Sequence, residues 1–275
     1  MGLDASVMCN CYREGRTSPC PFPDDLYIDE DGFPALRINR PDEESRSEVF
    51  DAWLSHCCEH PNMDYAAVFV AKWQGYNAFR RALEEIGWEQ FPVLKAHLPE
   101  HNQGSVPASA AAQALRELEH FQAHEGIPKT FLINSDTDEV VASAISDYGA
   151  AFGVNPRTGM NLSFDENGFF IQDVWEYNRE LFRAIRFEQV ALDSATLDRP
   201  QQYEYINLDN GRRFVCSTPV RVFVRGDFGT LKQEYPHRMH IERRTVDADY
   251  FAYIIKPLTF IFQASVETGN PVRWS

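Results

Sequence analysis

The chain has 275 residues, of which 44% are hydrophobic and 13% aromatic, so it can bury a substantial core. Its 26 basic and 41 acidic residues give a formal net charge of −15. This charge argues against binding to nucleic acid or to anionic membrane surfaces, and it favours a basic protein partner. No apolar run is long enough to cross a membrane and no secretion signal is evident, so we predict a cytoplasmic protein.

The first predicted elements are a hairpin and a helix. Segments 26–28 and 35–38 flank acidic and glycine residues that are typical of a tight turn. A helix then begins near Pro41, and its apolar positions recur every three to four residues as far as Cys58. Cys57 and Cys58 are therefore predicted to lie in the last turn of this helix.

The rest of the chain predicts further strands, hairpins and helices. Compact apolar runs indicate strands, and amphipathic or alanine-rich stretches indicate helices. In chain order we predict a strand at 63–73, helices at 77–88 and 106–125, a strand at 130–134, a helix at 138–153, a hairpin of 162–164 with 169–171, a helix at 175–190, a hairpin of 203–208 with 213–216, a strand at 219–224 and a helix from 247 to 268.

The final helix is predicted to cross the core, because it carries too many large apolar side chains for a solvated helix. Pro257 should kink this helix or end its first half, since proline lacks the N–H that a helix interior requires. Gly269 suits the left-handed position that ends a helix, and Trp274 should pack back on the protein.

These elements indicate an α+β fold, with a mixed, mainly antiparallel sheet built from β-hairpins and packed with several helices. We find no internal repeat and no long linker, so we predict a single domain spanning residues 1–275. Its N-terminal region, residues 1–60, is rich in cysteine.

A metal site is the most specific chemical prediction. Thiolate and imidazole are the ligands that Zn²⁺ prefers, and a tetrahedral structural site needs four of them. Cys9-x-Cys11, on alternate positions of an extended strand, and Cys58-x-His60, at a helix end, can supply a Cys₃His set. Cys20, His56 and Cys57 remain as substitute ligands. In the alternative interpretation Cys57 and Cys58 are small core residues and His60 is an exposed cation at the helix end.

The sequence contains no recognised catalytic constellation. It lacks the H-E-x-x-H zinc motif, the G-x-S-x-G nucleophile turn and the glycine-rich phosphate loops. The pairs His120 with His124 and His237 with His240 are predicted to be solvated rather than metal-binding. Because four protein ligands leave no open position for water, the predicted zinc is structural.

Two blocks of the sequence resemble a group of uncharacterised bacterial proteins. They are MGLDASVMCNCY at 1–12 and ETGNPVRW at 267–274. The resemblance implies a bacterial, cytosolic setting and a Cys9-x-Cys11 segment that belongs to the fold. It implies no particular activity.

Two main functional hypotheses follow, and a structural or regulatory protein with no small-molecule ligand is a third possibility. The first is a non-enzymatic binding protein, for instance a bacterial immunity protein that neutralises a basic toxin through charge complementarity. The second is a metal-dependent or thiol-dependent enzyme that uses the N-terminal cysteine and histidine cluster. The sequence does not identify the partner, the substrate or the oligomeric state.

Overall fold

A computed structural model describes residues 2–29, 32–37, 43–143, 155, 157–192, 201–225 and 231–275. Within these ranges the helices are α1 (Glu43–Leu54), α2 (Trp73–Ile86), α3 (Pro92–His97), α4 (Ala108–Gln122) and α5 (Ala252–Thr268). The strands are β1 (Gly2–Met8), β2 (Leu26–Ile28), β3 (Pro34–Leu36), β4 (Asp64–Lys72), β5 (Ser105–Val106), β6 (Ile127–Asn134), β7 (Val140–Ser143), β8 (Met160–Asp165), β9 (Gly168–Asp173), β10 (Arg179–Ala184), β11 (Arg186–Ala191), β12 (Tyr203–Asn207), β13 (Arg213–Cys216), β14 (Val222–Arg225), β15 (Leu231–Glu234), β16 (Arg238–Val246) and β17 (Val272–Trp274).

The chain forms two compact units. Unit 1 comprises residues 1–125 and 247–275, and unit 2 comprises residues 126–246. All the strand pairs of the described residues are antiparallel, and helices pack with the sheets, so the predicted α+β fold is confirmed. The prediction of one domain over residues 1–275 stays a prediction.

Unit 1 is organised around a four-stranded sheet of order β4-β1-β17-β5. Its central pair joins strands that are far apart in sequence, with Ala5 opposite Trp274 and Val7 opposite Val272. Side chains on one face of β1, including Leu3, are buried. The predicted packing of Trp274 is confirmed, because its ring is buried and its indole N–H donates to a backbone carbonyl.

Helix α5 packs against β4 and β1 and supplies much of this core, as predicted. Gly269 ends the helix with φ 70°, in the left-handed region that favours glycine. The helix continues through Pro257. The lost hydrogen bond would have used the carbonyl of Tyr253, in the first turn of the helix.

Unit 2 contains a six-stranded sheet of order β13-β12-β11-β16-β6-β7 and a three-stranded sheet of order β10-β9-β8. Aromatic rings form the centre of its core, and Phe169 stacks on Phe187 with ring centroids 4.2 Å apart. The hairpins predicted at 162–171 and 203–216 are present as β8–β9 and β12–β13.

Two helix predictions in unit 2 disagree with the structure. Residues 175–190 contain β10 and β11, so the helix predicted there is wrong. Buried positions alternate along these strands, as at Phe182 and Ala184, although the apolar spacing also fits a helix. In the segment 138–153, residues Val140–Ser143 form strand β7, and residues 144–153 lie outside the described ranges.

Candidate metal centre

Cys9 and Cys11 lie immediately after β1, where the chain leaves the sheet and turns. Cys9 N–H donates to the Met63 carbonyl oxygen at 2.7 Å, and Arg16 N–H donates to the Cys11 carbonyl oxygen at 2.8 Å. The prediction that the pair occupies alternate positions of a strand is wrong, because β1 ends at Met8. The turn fixes both thiols by backbone hydrogen bonds instead.

Cys58 and His60 lie in the loop that follows α1. The helix ends at Leu54, so the prediction that Cys57 and Cys58 occupy its last turn is wrong. Residues two apart on a helix do not face one another, whereas a loop can direct residues 58 and 60 to one point. A hydrogen bond of 2.7 Å from Ser18 N–H to the Cys57 carbonyl oxygen holds this loop to the N-terminal segment.

The four predicted ligands come together in space. The ligand atoms of Cys9, Cys11, Cys58 and His60 all lie within 4.8 Å of one another. The Cys9 and Cys58 Sγ atoms are 3.7 Å apart, and Cys11 Sγ is 3.4 Å from His60 Nδ1. In a tetrahedral zinc site two sulfurs are separated by about 3.8 Å, and a sulfur and a nitrogen by about 3.5 Å. The residues present therefore fit a four-coordinate metal ion.

Two of the thiols are inaccessible to solvent. Cys9 and Cys11 are buried, whereas Cys58 and His60 are half-buried. Burial raises the pKa of the Cys9 thiol to about 12 and also raises the pKa of Cys11, so both are protonated at neutral pH without a metal. A bound cation would stabilise the thiolates and release their protons. The positive charge of the nearby Arg16 guanidinium also stabilises the Cys11 thiolate and so acts to lower the pKa of Cys11.

A pair of asparagines connects this centre to the loop after α5. Asn270 is fully buried, and its side-chain amide donates to the Met8 carbonyl oxygen at 2.6 Å and to Asn10 Oδ1 at 3.0 Å. Asn10 Nδ2 in turn donates to the Thr268 carbonyl oxygen at 2.9 Å. Asn10 stands between Cys9 and Cys11, so these bonds position the turn that carries both thiols.

The role of these asparagines was not evident from residue type, because asparagine is common in solvated turns. The available signal was their place in the two blocks, 1–12 and 267–274, from which the resemblance to a group of bacterial proteins is predicted. The strand pair β1–β17 brings those two blocks together.

The substitute ligands lie outside the group. Cys57 is buried, and its thiol donates to the Leu54 carbonyl oxygen at 3.8 Å. Cys20 Sγ accepts a hydrogen bond from Phe22 N–H at 3.4 Å. His56 is exposed, and its Nδ1 lies 3.4 Å from the Ala52 carbonyl oxygen in the preceding helical turn.

The remaining histidine pairs form no comparable site. His120 is exposed and contacts Gln90 Oε1 at 2.9 Å, and His240 Nδ1 lies 2.8 Å from Ser135 Oγ. Among the described residues, the Cys₃His cluster is the one group of three or more potential ligands arranged around a common point.

Comparison with known proteins yields no match, whether to a family model, to a curated protein or to a solved structure. None of the helices in the described ranges combines the length and apolar character needed to cross a membrane.

Proposed function

We propose that this protein binds one Zn²⁺ ion through Cys9, Cys11, Cys58 and His60, and that the ion is structural. The observation that carries the proposal is the spacing of the ligand atoms, 3.7 Å between two sulfurs and 3.4 Å between sulfur and nitrogen. Both values are those expected between neighbouring ligands of tetrahedral zinc. The bound ion would link the turn after β1 to the loop after α1.

The structural role is supported by the completeness of the ligand set. Catalytic zinc keeps a position for water or substrate, whereas four protein ligands fill a tetrahedral site. Burial of Cys9 and Cys11 restricts access to the ion further. We therefore favour a non-enzymatic protein over a metal-dependent or thiol-dependent enzyme at this cluster.

Metal analysis of the purified protein tests this proposal. We expect about one equivalent of zinc per chain, lost in the Cys11→Ser variant and retained in the matched Cys216→Ser variant. Cys216 is also buried, but it lies in unit 2. Metal-free wild-type protein that cannot be loaded with zinc and retains freely titratable thiols would refute the proposal.

The same measurement should include iron, since thiolate and imidazole also bind iron centres. One equivalent of bound iron, together with visible absorption, would show that the same four residues hold iron rather than zinc. Activity against a substrate that is absent in Cys11→Ser, and that zinc loading restores to metal-depleted wild-type protein, would favour the enzyme hypothesis.

We also propose that the protein acts by binding a basic protein partner, in the manner of an immunity protein that neutralises a basic toxin. The supporting observation is the net charge of −15, since opposite fields accelerate encounter and improve specificity. Association with such a partner should slow as salt shortens the Debye length below about 10 Å. Partners that are acidic or bind at a salt-independent rate would contradict this.

A further inference from the structure

Strand β4 has an open edge. It is the terminal strand of the unit 1 sheet and pairs with β1 on one side, and none of the described strands pairs with its other side. A nine-residue strand is long for an edge. Such an edge presents backbone donors and acceptors that can pair with another strand. The register with β1 is regular from Ala66 to Phe69, with irregularities on either side.

Exposed aromatic side chains accompany this edge. On β4, Tyr65 is 43% exposed to solvent and Phe69 is 53% exposed. On α5, Tyr253 is 51% exposed and Phe260 is 52% exposed. Isolated exposed aromatics are ordinary, but several on adjacent elements suggest an interaction surface. We call β4 and these four side chains the β4 surface.

Two contacts place α5 alongside β4. The Tyr65 hydroxyl donates to Glu267 Oε2 at 2.8 Å, which puts the end of α5 beside the start of β4. At the other end, a Cβ atom added to Gly75 would lie 2.8 Å from the Tyr253 hydroxyl, and Gly75 follows β4 closely in sequence. Phe260 lies midway between residues 253 and 267 on the helix.

The charges of β4 are arranged for pairing with an identical strand. Asp64 is its first residue and Lys72 its last, and Val68 is the midpoint. Lys72 is exposed and has no ion-pair partner among the described residues. In an antiparallel pair of two copies about Val68, Asp64 of each copy faces Lys72 of the other. Asp64 also keeps its hydrogen bond with Ser6 and its attraction to Arg273 within its own chain. The pairing places opposite charges at both ends of the interface.

We propose that the β4 surface is the interface of a homodimer, in which two copies of this chain pair antiparallel through β4. The two-fold axis passes near Val68, so the arrangement is isologous and closes at two subunits. It joins two four-stranded sheets into one and covers Tyr65, Phe69, Tyr253 and Phe260. The dimer is independent of zinc binding and of the basic partner proposed above.

Sedimentation velocity of the full-length, zinc-loaded protein over a range of concentrations tests this. We expect a species of twice the monomer mass of 31.6 kDa. Phe260→Glu should raise the dimer dissociation constant by about tenfold or more, because it places like charges close to the axis. The matched control Phe223→Glu, at a phenylalanine of unit 2 that is 61% exposed, should leave the dimer unchanged.

Charge variants test the register. Lys72→Glu should weaken the dimer, because it opposes Asp64 of the other copy, whereas Lys72→Arg should retain it. Amide exchange over residues 64–72 should be slower in the wild-type dimer than in monomeric Phe260→Glu. Circular dichroism and zinc content identify a variant that has lost its fold. A monomer at every concentration, or a dimer unaffected by Phe260→Glu and Lys72→Glu, would overturn the proposal. A dimer equally disrupted by Phe223→Glu would overturn it as well.

Discussion

Asn270 connects parts of the chain that the metal ligands alone would leave separate. The ligands come from two segments, around Cys9 and around Cys58, and Asn270 fixes the first of them from the loop after α5. A buried amide of this kind stabilises one arrangement, since its hydrogen bonds cannot be replaced by water when it is displaced. Partners outside the ligand set commonly adjust metal affinity in the same way.

The variant Asn270→Ala should therefore bind zinc more weakly. It leaves the buried Met8 carbonyl oxygen without the Asn270 donor, and it removes the bond to Asn10 Oδ1 while the bond from Asn10 to the Thr268 carbonyl oxygen remains. We expect a loss of about tenfold to a hundredfold in zinc affinity. Competition with a chromophoric chelator measures it. The control Asn167→Ala changes an exposed asparagine of the β8–β9 turn and should bind zinc normally. Unchanged affinity in Asn270→Ala would show that the ligands hold their geometry unaided.

Cys216 should make stability depend on pH in the alkaline range. Burial raises the pKa of its thiol to about 11, whereas an unfolded cysteine has a pKa of about 8.5. Between these values the unfolded chain loses its proton first, so the free energy of unfolding falls as pH rises. The loss attributable to Cys216 is roughly 2 kcal/mol at pH 10. Urea unfolding at pH 7.5 and pH 10 should show a smaller decrease for Cys216→Ala, and an equal decrease in both proteins would contradict the assignment.

At the scale of elements, α5 is the central helix of unit 1. Its buried face packs on β4 and β1 and meets α4, and its end leads through Gly269 into β17. The exposed face of the same helix carries Phe260. Neighbouring aromatic residues on one helix therefore have opposite environments.

This contrast gives a matched pair of substitutions. Phe262→Ala removes a ring that is 1% exposed, and we expect it to lower the free energy of unfolding by about 3–5 kcal/mol. Phe260→Ala removes a ring that is 52% exposed and should change the monomer by less than about 1 kcal/mol. Chemical denaturation at a concentration where both variants are monomeric provides the comparison. Similar losses of unfolding free energy in the two variants would mean that α5 does not bury Phe262 while exposing Phe260.

The sequence predicted those elements whose pattern allows only one interpretation. Turn residues such as Asn167-Gly168 identified hairpins, and Gly269 identified the end of α5. The helix predicted at residues 175–190 was wrong because the apolar spacing there fits both a helix and a pair of strands. Only packing in the unit 2 core selects the strands. The four candidate ligands were proposed from residue type and spacing, with Cys20, His56 and Cys57 as substitutes, but the loop after Leu54 and the asparagine link depend on tertiary contacts.

At the scale of the molecule, the proposed zinc ion belongs to one of two compact units. Unit 1 contains all four ligands, and unit 2 has its own aromatic core. Ligand binding stabilises the folded state that binds it, so the ion should stabilise unit 1.

Removal of zinc should consequently lower the melting temperature. At free zinc a hundredfold above the dissociation constant, binding contributes about 2.7 kcal/mol, which corresponds to several degrees for a unit of this size. Calorimetry with and without a chelator measures the shift. Cys11→Ser should resemble the chelated protein and respond no further to chelator, while Cys216→Ser should respond like wild type. A melting temperature unchanged by chelation would show that the ion does not stabilise unit 1.

The pairing of β1 with β17 also determines when the centre can be completed during synthesis. Asn10 and Asn270 are 260 positions apart, and at about 5–20 residues per second the ribosome takes tens of seconds to make the intervening chain. For most of that interval Cys9, Cys11 and Cys58 have been synthesised, but β17 and Asn270 have not. The thiols of the nascent chain are thus available to the cell before their final surroundings exist. Delivery of metal to the growing polypeptide, or protection of its cysteines, is therefore a co-translational problem for this fold.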